Sequence, residues 1–185
     1  MDDAMRDACM PFDLDSNPFW DFSVRFYRQP GVAPACLRLQ DSLGIDVNLL
    51  LFGAWSAAAG EAELDRATCA ELLRGTAAWH EVVRAMRSAR RRVKEGHRHL
   101  SQDEAGSAYR RVLAAELEIE RYEQLIIMRA AGRRPPAAPH ASSAAQRARR
   151  NMELYLDVAR AAPGDDDRAA LDVIAAAVTD DALPG

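Results

Sequence analysis

Hydrophobic and polar positions divide this chain into helical stretches punctuated by glycine and proline. The densest apolar run is 45–60, Ile-Asp-Val-Asn-Leu-Leu-Leu-Phe-Gly-Ala-Trp-Ser-Ala-Ala-Ala-Gly. After Asp46 and Asn48 it is apolar or small on every side, the pattern of a helix packed on from several directions. A buried central helix is therefore expected over 46–59. Gly44 suits the left-handed position that closes the helix before it, and Asp46 suits its N-cap. At about fifteen residues it falls short of the roughly 20 needed to span a bilayer, so no membrane span is expected.

The other segments repeat every 3.6 residues rather than every two. Asn17-Pro18 reads as an N-cap with proline in the first turn, opening a helix to about residue 28 that carries Phe19, Trp20, Phe22, Phe26 and Tyr27. Val32, Ala35, Cys36, Leu39 and Leu43 trace the apolar face of a second helix. A fourth helical region begins near Asp65, with a break expected at Gly75, and runs to about Glu95 with Trp79, Val82, Val83, Met86 and Val93 on one face. After a turn at 96–102, a long fifth helix is expected over 103–131, capped by Gly132. Two long helices joined by a short turn should pack antiparallel.

The pattern then weakens. Residues 133–142 hold Pro135, Pro136 and Pro139 among alanines, the composition of a stiff exposed linker. Weaker helices are expected over 143–161 and 165–178, split by Pro163-Gly164, and the pattern leaves open whether this tail docks. The expected organisation is an acidic flexible leader 1–17, a helical domain 18–132, the linker 133–142 and the tail 143–185. The fold class is all-α, a bundle of about five helices around the buried central one.

Composition refines this picture in two places. The net charge of -4 across 185 residues is mild and points to no strongly charged partner. Cys9, Cys36 and Cys69 are an odd, scattered set, which fits a reducing compartment better than a disulfide framework. The acidic start lacks the basic and apolar regions of a signal peptide, so the expected location is cytoplasmic.

Candidate chemistry is sparse. On the fifth helix Glu116, Glu120 and Glu123 fall in the middle of an apolar face flanked by Tyr109, Val112, Leu113, Ile119 and Ile127. Buried carboxylates need a partner. Arg87 and Arg90 on the fourth helix are the nearest candidates, with Arg87 most readily meeting Glu116. Gln40, Asp41, Asp46 and Asn48 bracket the turn into the central helix, as caps or as the mouth of a pocket beneath Trp20, Trp55 or Trp79. His80-Glu81-Val82-Val83-Arg84 resembles a zinc-protease helix, but Arg84 stands where the second His ligand belongs. Glu120-Arg121-Tyr122-Glu123 likewise has Glu where a carboxylate-bridged metal site needs His. No metal and no cofactor are assigned. His97 and His99 read as a solvated pair. Arg84, Arg87, Arg91 and Arg98 form a basic stripe without the aromatic platform or helix-turn-helix pattern of a nucleic-acid binder. No phosphate-binding glycine loop or nucleophile elbow is present.

The motifs Phe19-Trp20-Asp21-Phe22, Tyr27, Cys36-Leu37-Arg38-Leu39-Gln40-Asp41, Gly44 and Asp46-Val47-Asn48-Leu49-Leu50-Leu51-Phe52 through Trp55 resemble those of a family of proteobacterial proteins carried as a domain of unknown function. The resemblance covers roughly 18–131. It implies a small helical protein and brings no activity, ligand or catalytic residue with it. The functional expectation is a non-catalytic cytoplasmic interaction or accessory protein, acting through an unknown protein partner or self-association. The alternative is a small-molecule-binding protein or enzyme with a polar pocket at Glu116, Glu120, Glu123 and Arg90. A third reading, a regulator that binds nucleic acid through 84–98, is the weakest.

Overall fold

A computed structural model describes residues 13–132, 134–137 and 142–179. Most of the expected leader and half of the expected linker, with Cys9 and Pro139, lie outside the described residues. Seven helices are present among them: α1 (Pro18–Phe26), α2 (Val32–Leu43), α3 (Val47–Ala58), α4 (Arg66–Lys94), α5 (Gln102–Ala131), α6 (Ala144–Val158) and α7 (Asp165–Ala176). No strand occurs among the described residues, and the fold is an all-α bundle. None of these helices is long and apolar enough to cross a membrane.

Helix α3 is central in the sense its sequence requires, because all twelve of its residues are buried. Asp46 caps it by accepting the Asn48 N–H at 2.8 Å. Gly44, at φ 65°, ends α2 and lets its N–H return to the Gln40 carbonyl. Around α3 the core gathers Phe19, Phe22 and Phe26 of α1, Cys36 and Leu39 of α2, Cys69 and Leu72 of α4 and Ile127 and Met128 of α5. Phe19, Phe52 and Trp55 meet at centroid distances of 5.5–5.8 Å. Burying each such side chain contributes about 1.5–3 kcal/mol, so apolar burial, not helix propensity, holds α3 in place.

The same core takes in α6 and α7 through Ala148, Met152, Tyr155, Leu156, Leu171 and Ile174. Helix α6 lies against α3 across Gly53, where an added Cβ would sit 3.2 Å from the Asn151 Cβ. Asn151 accepts from the Leu64 N–H at 2.8 Å and donates to the Gly53 carbonyl at 3.0 Å. Arg147 donates to the Ala57 carbonyl at 3.0 Å, placing a cation at the negative end of α3. Helix α7 starts with Asp167 reaching back to the Gly164 N–H, while Ser42 of α2 donates to the same carboxylate at 2.8 Å. The described part of the Pro/Ala segment is tied down too: Ala62 N–H donates to the Pro135 carbonyl and Ala137 N–H to the Gly60 carbonyl.

Helices α4 and α5 form the antiparallel hairpin the short connection requires, and α4 runs unbroken through Gly75. Each is close to 44 Å long at 1.5 Å per residue. No residue between 84 and 115 is buried, so the hairpin is anchored at its base and projects at its tip.

Candidate functional site

Polar side chains from α3, α4, α5 and α6 converge where the base of the hairpin meets the first turn of α3. Asp46, Asn48, Glu123 and Gln124 are all buried there. Asn48 is the hub: its Nδ2 donates to Glu123 Oε2 at 2.6 Å, and its Oδ1 accepts from Gln124 Nε2 at 2.8 Å. Tyr155 of α6 accepts from the Asp46 N–H at 3.0 Å. His80 of α4 completes the group, with Nδ1 3.3 Å from Asp46 Oδ2 and 3.4 Å from Glu123 Oε1.

Farther along the hairpin a second polar layer answers the remaining glutamates. Arg87 Nη2 binds Glu120 at 2.6 Å and lies 3.9 Å, through Nε, from Glu116. Arg90 binds Glu116 at 2.5 Å. Arg87 thus meets Glu116 as expected, at the long end of ion-pair distance, while its short bond goes to Glu120 one helical turn along. Trp79 fixes this register by donating its indole N–H to the Ile119 carbonyl at 2.9 Å.

The protonation of the first cluster follows from this geometry. Burial by itself works against a charged His80, but the close approach and negative charge of the Asp46 and Glu123 carboxylates outweigh it and raise the pKa to about 9. Burial also pushes the Glu123 carboxyl upward, with His80 and Asn48 opposing it. The two carboxylates thus favour a charged imidazole at His80, while burial favours a protonated Glu123. Glu120 is likewise raised by burial, against the pull of Arg87.

Three clefts border these layers. One, of about 330 Å³, is walled by Trp20, Val24, Tyr27, Leu37 and Leu117 and floored by Asn48, Arg87, Arg90, Glu116, Glu120 and Gln124. A second, also about 330 Å³, opens between Gln40, Asp41 and Gly44 on one side and His80, Arg84, Arg87 and Arg91 on the other. The third, about 300 Å³, reaches Asp46, His80 and Tyr155 from the α6 side.

The residues singled out in the sequence are thus distributed over one region. Glu116, Glu120, Arg87 and Arg90 form the second layer, and Glu123 joins the first. Gln40 and Asp41 edge the clefts, whereas Asp46 and Asn48 lie at their floor. Trp20 walls one cleft; Trp55 is packing in the aromatic core, and Trp79 is a hairpin strut against Tyr122. The basic stripe is divided: Arg87 turns inward, Arg84 pairs with Glu81, and Arg91 pairs with Asp41. His97 and His99 are exposed, with ring centroids 5.3 Å apart.

His80 is the residue that reasoning from motifs passed over. Judged along its own helix it lacks a second ligand at position 84, but its neighbours come from α3 and α5. A signal that could have found it is Glu123, a carboxylate in an apolar face that needs a partner.

With this geometry established, the chain belongs to the family described as "Protein of unknown function (DUF2390)", which matches residues 18–127. The match takes in α1 through most of α5, and so every residue of both polar layers except Tyr155. No curated protein and no solved structure matches the chain.

Proposed function

We propose that this protein binds a small amphipathic molecule in the cleft between α1, α2 and the base of the α4–α5 hairpin. The observation that carries this reading is where its exposed apolar surface lies. Val24, Leu37 and Leu117 are 38%, 51% and 45% exposed, and all three rim this one cleft. An apolar wall above a few convergent polar groups is the usual build of a ligand site. The ligand's apolar body lies against Trp20, Tyr27 and Leu37, and its polar end reaches Gln124, Arg87 or Arg90. The floor carries two arginines and two glutamates, so a net-neutral polar end matches it best.

The test uses N-phenyl-1-naphthylamine, an uncharged fluorescent dye, as the probe, followed by native mass spectrometry of the protein purified from its own cells. Leu117→Arg and Val24→Arg change exposed positions and leave the fold intact, so they should weaken dye binding by about tenfold or more, the effect of losing roughly 1.4 kcal/mol of contact. A co-purifying small mass in the wild type that is lost in both variants identifies the ligand. Equal dye binding in wild type and variants would defeat the reading.

A protein partner is the second reading, favoured by the projecting tip of the hairpin with its exposed Leu100. Sedimentation velocity that shows a complex lost on shortening the tip supports it. Either reading fits a reducing location such as the cytoplasm, since Cys36 and Cys69 are buried free thiols.

A further inference from the structure

The first polar layer holds an arrangement that the cleft does not use. Asp46 accepts the Asn48 N–H through Oδ1, and Glu123 accepts the Asn48 amide through Oε2. Each carboxylate thereby keeps one oxygen, Oδ2 and Oε1, with no hydrogen-bond partner, and the His80 Nδ1 has none either. Asp46 is only 4% exposed and Glu123 0%. These three atoms lie within 4.8 Å of one another.

From this convergence we infer that Asp46, His80 and Glu123 form a binding site for one divalent first-row transition-metal ion, with Oδ2, Nδ1 and Oε1 as its protein ligands.

Geometry favours an ion over a proton. Nδ1 stands at 3.3 Å and 3.4 Å from the two oxygens, beyond the roughly 2.7–2.9 Å of a charge-assisted hydrogen bond. A single Nδ1–H cannot point at both, so a proton leaves one buried carboxylate oxygen unanswered. A metal ion bonded at about 2.1 Å to each of three ligands sets tetrahedral neighbours about 3.4 Å apart, which is the spacing of His80 to each carboxylate. Two carboxylates and a neutral imidazole carry charge -2, matched by a divalent cation. The imidazole selects Zn²⁺, Mn²⁺, Fe²⁺ or Co²⁺ over the all-oxygen preferences of Ca²⁺ and Mg²⁺.

The surroundings have the parts such a site requires. Asn48 orients both carboxylates at once, and Gln124 in turn holds Asn48, the outer-shell support that metal ligands receive. His80 and Asp46 border clefts of about 330 and 300 Å³, which give an ion a way in and leave coordination positions open to water or substrate. Each residue sits on a different helix, so the ion would tie together α4, α5 and the cap of α3.

The experiment takes the full-length chain, stripped with chelator and dialysed, and titrates it with Co²⁺, read by visible d–d absorption and by calorimetry. The expected result is one equivalent bound, displaced by Zn²⁺, with a higher melting temperature for the loaded protein. His80→Ala, partly exposed and so tolerant of change, should weaken binding on the order of 100-fold or more, since even outer-shell losses reach that size. A His97→Ala/His99→Ala protein should bind as the wild type does. The wild-type titration decides even where a variant fails to fold. Absence of a stoichiometric cobalt spectrum, or one that survives His80→Ala and vanishes with His97 and His99, overturns the assignment. The dye assay on the neighbouring cleft is independent of either result.

Discussion

Replacing Asn151 with leucine tests whether α6 is built into the core. The Asn151 side chain is 1% exposed and links three segments: its oxygen accepts the Leu64 N–H ahead of α4, and its amide donates to the Gly53 carbonyl in α3. Leucine has nearly the same volume, so little cavity forms and the loss is chiefly polar. The Leu64 N–H becomes a buried donor without a partner, which costs about 1–3 kcal/mol. The Gly53 carbonyl keeps its helical partner, so the second lost bond adds about 1 kcal/mol or less. The sum is roughly 2–4 kcal/mol, and at about 2–4 °C per kcal/mol for a chain of this size the melting temperature should fall by roughly 5–15 °C. Circular dichroism melts, paired with urea unfolding to obtain the free energy directly, measure this. Glu153→Gln on the exposed side of the same helix is the control and should move stability by about 0.5 kcal/mol or less. If Asn151→Leu melts within about 1 °C of wild type, the side chain is solvated and the α3–α6 contact is refuted.

Two further outcomes follow from burial. Burial pushes the Cys36 thiol up to about 12 and the Cys69 thiol up to about 11, so both stay protonated at pH 8. In a Cys9→Ser variant, Ellman's reagent should therefore react with the native protein only at the rate of unfolding, then with two thiols once urea is added. For Glu61, burial raises the carboxyl pKa against the pull of Ser56 and Arg134. A raised folded-state value means that the folded protein holds this proton more tightly than the unfolded chain. Glu61 therefore favours the folded state below the ordinary carboxylate pKa, and this advantage is lost as pH rises through the raised one. The melting temperature of wild type relative to Glu61→Gln should be highest near pH 4 and decline toward neutrality; a difference that is flat or grows with pH contradicts the assigned cause.

How legible these features were in the sequence depends on how local their causes are. Asn17-Pro18, Gly44, Asp46 and Gly132 mark helix ends because caps and left-handed turns are decided within a few residues. The burial of α3 was readable because an apolar surface on all sides admits no other arrangement. Counting at 3.6 residues per turn also placed Glu116 and Arg90 on facing stripes, and they do pair. Gly75 shows the opposite case: propensity disfavours it in mid-helix by about 1 kcal/mol, but the packing of Cys69, Leu72 and Val83 on either side outweighs that penalty. The register of the hairpin was legible only to within a turn, because it is set by the Trp79–Ile119 bond and the shape of the 95–101 connection, neither of which leaves a periodic trace.

The polar layer at the foot of that hairpin lay beyond any one-dimensional pattern, because it consists of single residues from separate helices. Each has a bland local role: Asp46 is a cap, Asn48 a first-turn residue, His80 a helix position, Glu123 an interruption in an apolar face. Their assembly is thermodynamically unfavourable on its own terms, since burying two carboxylates and an imidazole costs several kcal/mol that packed apolar side chains would avoid. The Asn48 side-chain amide and N–H already satisfy one oxygen of each carboxylate, and the aromatic and aliphatic core around Phe52 packs beside them. What the arrangement achieves is that the unsatisfied atoms of Asp46, His80 and Glu123 face one another, beside clefts open to solvent. The proposed ion site rests on those facing atoms and on the rigid core that holds them.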